Sequence, residues 1–240
     1  MTSLTNNLGQ PIGFPVPGWQ ARPQPPRTAM TGRSCDVVPL DPDRHAPELH
    51  EANLENKDGG NFTYLGAGPF ASVAEYRQWI DATCLGNDPL FHAIIDKGSG
   101  KAVGIASYLR IDAAMGVIEV GHINYSPRLQ HKAASTEAMF LMMRRVFDEL
   151  GYRRYEWKCD SLNEPSRRAA LRLGFTYEGI FRQAIIYRGR NRDTAWFSIT
   201  DKEWPALKRA YEAWLSPGNF DAAGKQKQRL ADLIAAERAR

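Results

Sequence analysis

From Cys35 onward the apolar residues of this chain move between two spacings, and the changes of spacing mark its elements. Cys35 to Leu40 reads as a short strand, and Arg44 to Glu55 carries the apolar spacing of a half-buried helix. Ser72-Val73-Ala74-Glu75 forms a capping box, in which hydroxyl and carboxylate satisfy each other's backbone amides, so a helix should run from there to about Thr83. Phe91 to Asp96, Ala102 to Ile111 and Gly116 to Tyr125 have strand character; Lys97-Gly98-Ser99-Gly100 turns the first into the second, and Pro127 stops the third. These three make an antiparallel meander. A helix from about Ser135 to Leu150 follows, with Met139, Met142, Met143, Val146, Phe147 and Leu150 on one broad apolar face and Gly151 as its stop.

Tyr155 to Cys159 alternates like a strand and leads into Asn163-Glu164-Pro165-Ser166. Asn163 suits an N-cap, Glu164 the first-turn dipole and Pro165 a position whose missing N–H costs nothing, so a helix over Ser166 to Leu173 is predicted, ended by Gly174. A closing hairpin spans Gly179 to Tyr187 and Thr194 to Ile199, turning at Arg188-Gly189-Arg190-Asn191-Arg192. After Thr200, two helical patterns flank the breaker at 216–220, and Trp204, Leu207, Tyr211 and Trp214 form a stripe expected to pack on the core rather than on a homodimer partner. Residues 1–32 are Pro-rich and too irregular for helix or strand, an arm laid over the domain or partly disordered. The chain therefore divides into an N-terminal extension (1–32), a mixed α/β domain (33–200) and a helical C-terminal extension (201–240).

At 240 residues and 43% hydrophobic, the chain can bury a proper core in one domain. No stretch approaches the ~18 continuous apolar residues that would span a bilayer, and the start lacks a basic segment followed by an apolar run, so a cytoplasmic protein is expected. Cys35, Cys84 and Cys159 are odd in number and lack metal-ligand spacing, which argues against a disulfide framework or a metal site.

Charge adds a functional clue. The formal net charge is +4, but the window from Arg128 to Arg192 holds fourteen Lys or Arg against seven Asp or Glu, leaving the remainder negative. Such asymmetry points to an anionic ligand, either a phosphorylated cofactor or a nucleic acid. Within the window, Gln130, His131, Lys132, Ala133, Ala134 and Ser135 immediately precede or open a helix. There, backbone N–H groups lack intrahelical acceptors, the dipole favours an anion, and the small residues let phosphate oxygens approach the backbone. Arg128, His131 and Lys132 add positive charge.

The order of these elements resembles the GNAT acetyltransferase superfamily, and particularly its ribosomal-protein N-terminal acetyltransferase branch of the RimJ/RimL type. The resemblance covers roughly Arg33 to Ile199. It rests on Glu119-Val120-Gly121-His122-Ile123 before Pro127, Ser135-Thr136-Glu137-Ala138, Asn163-Glu164-Pro165-Ser166, and Leu173-Gly174-Phe175-Thr176-Tyr177-Glu178-Gly179. It implies a mixed, mostly antiparallel sheet flanked by helices and acetyl-CoA as co-substrate. It further implies that Ile123, Asn124 and Tyr125 splay from the next strand and pair with the pantetheine arm, that Gln130 to Ser135 take the pyrophosphate, and that Asn163 and Ser166 lie by the thiol end. Two departures stand out. The loop lacks the family's usual glycines, so a position needing positive φ would be strained, and Arg168-Ala169-Ala170-Leu171 stands where many members place a thiolate-protonating tyrosine.

Acylation of a primary amine requires the neutral nucleophile, and such amines titrate near ~10.4 for a lysine type or ~8 for an α-amine. A base must take the proton. The resemblance puts Glu119 on the central strand facing the acceptor pocket, which makes it the first candidate, with His122 as runner-up and Glu178 expected to pair with arginine. Backbone amides near Asn124 and Tyr125 would polarise the thioester carbonyl. Ser166 is a candidate proton donor to the departing thiolate, or a helix cap. Two other readings are a catalytically degenerate acyl-CoA-binding protein and a nucleic-acid-binding module using Arg182, Arg188, Arg190 and Arg192. Neither a metal nor a membrane partner is expected.

Overall fold

In the computed structural model, which describes residues 4–240, an eight-stranded sheet is packed between helices on both faces. A two-residue ladder, β1 (Leu4–Thr5) with β2 (Pro11–Ile12), stands apart from it. The main sheet comprises β3 (Met30–Thr31), β4 (Cys35–Pro39), β5 (Leu90–Asp96), β6 (Ala102–Asp112), β7 (Val117–Tyr125), β8 (Arg154–Asp160), β9 (Thr176–Tyr187) and β10 (Arg190–Thr200). Its order is β3-β4-β5-β6-β7-β8-β10-β9. The meander is as the alternation predicts, and β7 with β8 is the parallel pair in an otherwise antiparallel sheet. The expected mixed, mostly antiparallel sheet is therefore present.

Two helices, α1 (Pro42–Asn53) and α2 (Val73–Thr83), cover one face, burying Leu49, Tyr76 and Ile80 against Phe91, Ala93 and Ile105. The other face packs on α3 (Ala133–Arg144), which runs into a wider π-type turn over Arg145–Glu149, and on α5 (Trp204–Leu215). Two short helices, α4 (Glu164–Arg172) after β8 and α6 (Leu230–Arg238) against α5, complete the set. The indole stripe of α5 is core: Phe140 stacks on Tyr211 at 5.3 Å, and Phe147 on Trp204 at 5.1 Å. All six apolar residues expected on the buried face of α3 and its π turn are buried.

Several boundaries differ from the sequence reading for identifiable reasons. The first helix starts at Pro42 because Asp41 caps it, its carboxylate accepting from the amides of Asp43 and Arg44. In the capping box, Glu75 accepts from the amide of Ala71 rather than that of Ser72. The Pro-rich arm is not structureless. Met30–Thr31 pairs with β4, Trp19 donates to the Ala114 carbonyl at 2.8 Å, and Arg145 reaches the carbonyls of Thr28 and Ala29. The closing hairpin turns on Arg188-Gly189 alone, so Arg190 and Arg192 lie in β10 and not in a loop.

Candidate active site

Parallel pairing between β7 and β8 runs from Val117↔Arg154 to Val120↔Trp157 and then stops. Beyond it the strands part. On its other side β7 shifts register against β6, with Ser107 opposite Gly121 but Ile105 opposite Asn124, so two β7 residues, His122 and Ile123, face the single Ala106 on β6. The extra residue is taken up at His122, whose φ is +48°. A bulge of this kind bends the strand and turns its backbone toward the gap.

The lower end of the gap lies over the start of α3. That helix begins at Ala133, two residues earlier than the apolar spacing predicts, so Ala133, Ala134 and Ser135 form its first turn. Among the described residues no backbone acceptor faces the N–H groups of Ala133 and Ala134. Lys132 stands at the N-cap without a side-chain cap, while the Ser135 hydroxyl bonds the Lys132 carbonyl at 2.7 Å. The positive φ expected somewhere in this loop falls on His131, at +60°, so the chain adopts it without glycine. His131 and Lys132 are exposed. Arg128 is engaged elsewhere, with Glu51 at 3.0 Å and Glu55 at 2.7 Å.

Gln130 plays a different part from the one expected of a phosphate loop. Its side-chain amide donates to the Tyr125 carbonyl at 2.8 Å and to Asn61 at 3.0 Å, and Asn61 donates to the same carbonyl at 3.1 Å. Both lone pairs of that carbonyl are therefore occupied. Ile123 packs toward the α3 side, and the Tyr125 hydroxyl bonds the Ser135 carbonyl at 3.3 Å.

At the upper end, Glu119 sits on the face away from α3 and is 3% exposed. Arg110 grips both its oxygens at 2.8 Å, and Lys158 approaches at 3.0 Å while also holding Glu156 at 2.7 Å and lying 3.7 Å over the Trp196 ring. Burial pushes the Glu119 carboxyl up, Lys158 and Arg110 pull it back, and the net direction is upward. Glu178 pairs with Arg154 at 2.8 Å, as expected. His122 Nδ1 lies 2.8 Å from Ser107 Oγ and its ring sits 4.9 Å from that of Phe91. Solvent reaches the side chain although protein atoms crowd it, as suits a group lining a cleft. Burial and Arg110 lower its pKa, which favours neutral imidazole.

The C-terminal end of β8 supplies the remaining candidates. Asn163 is the cap of α4, accepting from the Ser166 amide at 3.2 Å. The Ser166 hydroxyl is thus not the cap; it accepts from Trp157 Nε1 at 3.0 Å and faces the Cys159 thiol as a donor. Cys159 nearby is buried, and burial raises its thiol, against a nucleophilic role.

The segment linking α1 to α2 crosses above this region. Tyr64 donates to the Leu162 carbonyl at 3.1 Å, and Arg188 at the hairpin turn bonds the Gly68 carbonyl. Beneath lies a cavity of about 250 Å³ lined by Phe62, Phe70, Tyr76, Trp79, His122 and Asn124 among others. Sequence reasoning did not find this cavity, because Tyr76 and Trp79, three apart on a helix, look like ordinary core residues, and the aromatics at 62 and 70 lie in a loop.

This architecture has a known counterpart. Residues 37–176 match the model of the acetyltransferase (GNAT) domain. The chain belongs to the GNAT acetyltransferase family. Among solved structures, this GNAT chain is similar to a GCN5-related N-acetyltransferase from Brucella melitensis, with 50% identity, a TM-score of 0.89, and coverage of 92% of this chain and 100% of that one. It is 28% identical over 146 residues to the uncharacterized N-acetyltransferase p20 of Bacillus licheniformis, covering 59% of this chain and 80% of that protein. It is also 26% identical over 179 residues to the prophage-derived uncharacterized N-acetyltransferase YokL of Bacillus subtilis, covering 74% and 96% respectively. This GNAT protein is accordingly an acyltransferase. Among the described residues no helix is long and apolar enough to cross a membrane.

Proposed function

We propose that the enzyme transfers an acetyl group from acetyl-CoA to a primary amine by direct attack in a ternary complex. The observation that carries this reading is the gap between β7 and β8 opening over the first turn of α3, whose Ala133 and Ala134 amides have no backbone acceptor. Those amides, with His131 and Lys132, suit the pyrophosphate of the donor. The β7 backbone from Gly121 to Asn124 suits its pantetheine arm. Acetyl-CoA supplies an activated thioester; the protein positions it and manages two protons.

Glu119, through a water, takes a proton from the ammonium form of the acceptor to give the neutral amine that attacks, and burial, by raising its pKa, makes it a stronger base than an exposed carboxylate. His122, neutral and with Nε2 unengaged, is the alternative base. The neutral amine nitrogen bonds to the thioester carbon, the carbon–sulfur bond breaks, and the proton that the nitrogen then sheds passes through Ser166 or water to the departing thiolate. The resemblance of the motif runs to the RimJ/RimL branch makes an α-amine the first acceptor to test, and small-molecule amines the second. Calorimetric titration with acetyl-CoA, followed by thiol release in the presence of short N-terminal peptides and small amines, tests the proposal. Binding with release stimulated by one acceptor class is expected; absence of acetyl-CoA binding would sink it, and binding without turnover on any amine would leave a degenerate acyl-CoA binder.

A further inference from the structure

The cavity under the 60–70 segment has a composition that constrains what enters it. Its wall includes Phe62, Gly66, Phe70, Tyr76 and Trp79, with His122 and Asn124 from β7, and among the described residues no Asp, Glu, Lys or Arg side chain lines it. Aromatic rings form a continuous chain from its far wall to the bulge. Phe62 meets Phe70 edge-on at 6.0 Å, Phe70 stacks on Tyr76 at 4.4 Å, Trp79 meets Phe91 edge-on at 5.8 Å, and Phe91 lies against His122. At about 250 Å³ the space falls below the ~300–1,000 Å³ of sites for drug-sized ligands and matches a single side chain or a small ring.

Asn124 supplies the second observation. It is 3% exposed, and neither its amide oxygen nor its amide nitrogen has a hydrogen-bond partner. A buried primary amide with all its capacity unused is uncommon in a folded protein, and its place in the cavity wall points to a ligand group that completes it. A neighbouring hollow of about 270 Å³ is different in kind: it holds Lys57, Asp58 and His50, and Phe62, Phe70 and Tyr76 are shared between the two.

We infer that this cavity seats the body of the acceptor and selects an uncharged aromatic or branched apolar group on the amine-bearing carbon, with Asn124 pairing a neighbouring amide or hydroxyl. The inference rests on the acetyltransferase reading only for the direction of transfer. Geometry separates the two substrates: the cavity is on the face covered by α1 and α2, whereas α3, with its free amides, is on the other, and the β7–β8 gap joins them. A polycationic acceptor would leave water and counter-ions for a site with no carboxylate to receive it, which is unfavourable. A neutral apolar site also disfavours the ammonium form of a monoamine, which helps to present the nucleophile.

Phenylalanine amide, glycine amide and spermidine are the probes, measured by calorimetry in the presence of CoA and by thiol release with acetyl-CoA. Phenylalanine amide should bind and should exceed both others in kcat/KM by at least tenfold. Two variants localise the effect. Gly66→Leu adds bulk where no heavy atom lies within 4 Å of an added Cβ, and should lower phenylalanine amide affinity tenfold or more while acetyl-CoA affinity holds. Asn124→Leu should weaken the same probe yet raise the melting temperature, a pairing that a purely structural asparagine would not give. Equal use of glycine amide, preference for spermidine, or a Gly66→Leu enzyme that changes only its choice between acetyl- and propionyl-CoA would overturn the assignment. Binding of phenylalanine amide without transfer to any amine would uphold the cavity and sink the transferase reading. Transfer to other amines without such binding would do the reverse.

Discussion

Glu119 joins two properties that rarely coexist at one residue: it is almost fully buried, and two cations hold it. Together with Arg110, Lys158, Glu156, Arg154 and Glu178 it forms a charge network on the sheet face away from α3. Replacing Glu119 by Gln keeps the shape but removes one negative charge, so turnover should fall by ~10²-fold or more while acetyl-CoA binding stays near wild type. Lys158→Met separates a catalytic carboxylate from a merely structural one. Losing a cation disfavours the charged carboxylate, so its pKa rises and the acid limb of kcat/KM should move to higher pH. An unmoved limb would transfer the role of base to His122 or to solvent. The family resemblance nominates Glu119, with His122 as runner-up, from its place on the central strand. It could not show Arg110, because that contact depends on the irregular register between β6 and β7. Asn124 was legible only as backbone beside the gap; its unpaired side chain becomes visible only when every neighbour is placed.

An element can be predicted well and still be displaced by two residues where the proposed pyrophosphate contacts lie. Apolar spacing finds α3 from its buried face, but the first turn of a helix carries little of that face, so the helix appears to begin at Ser135 when it begins at Ala133. The strand pattern likewise finds β7 and not its bulge, since one extra residue leaves local composition unchanged. The prediction for α3 uses this shift. Ala134 is buried, so a charge there would damage packing, whereas Ala133 is half-buried at the first helical position. An aspartate at a helix N-terminus suits the dipole, so Ala133→Asp should leave the melting temperature unchanged or slightly raised. The same charge repels a pyrophosphate, so acetyl-CoA affinity should fall more than tenfold, at least ~1.4 kcal/mol. Calorimetry and thermal melting on one sample check both signs; unchanged affinity would remove the phosphate assignment from α3.

At the scale of the whole molecule, the extensions are not appendages to a finished core. Trp204 of α5 stacks on Phe140 of α3 and on Phe147, and the arm that precedes β4 supplies carbonyls to Arg145 and Tyr152 from Thr28, Ala29 and Pro23. Sequence patterns suggested the first contact and not the second, because a Pro-rich segment gains its place from partners distant in the chain. Where arm and sheet meet, His92 on β5 is fully buried, edge-on to Tyr108 at 5.5 Å, with neither ring nitrogen hydrogen-bonded. Burial first, then the charges of Arg145 and Arg27, push its pKa down from 6.5 to about 4. Between those values the unfolded chain accepts a proton that the native state refuses. Stability is therefore full above about pH 6.5 and is lost as pH falls toward 4, by roughly 3 kcal/mol from this residue. His92→Phe keeps a ring against Tyr108 and removes the titration. Urea unfolding at several pH values should show wild type weakening steeply between pH 6.5 and 4 and the variant weakening less, with the gap between them widening as pH falls. Parallel curves would show that acid sensitivity resides elsewhere in the molecule.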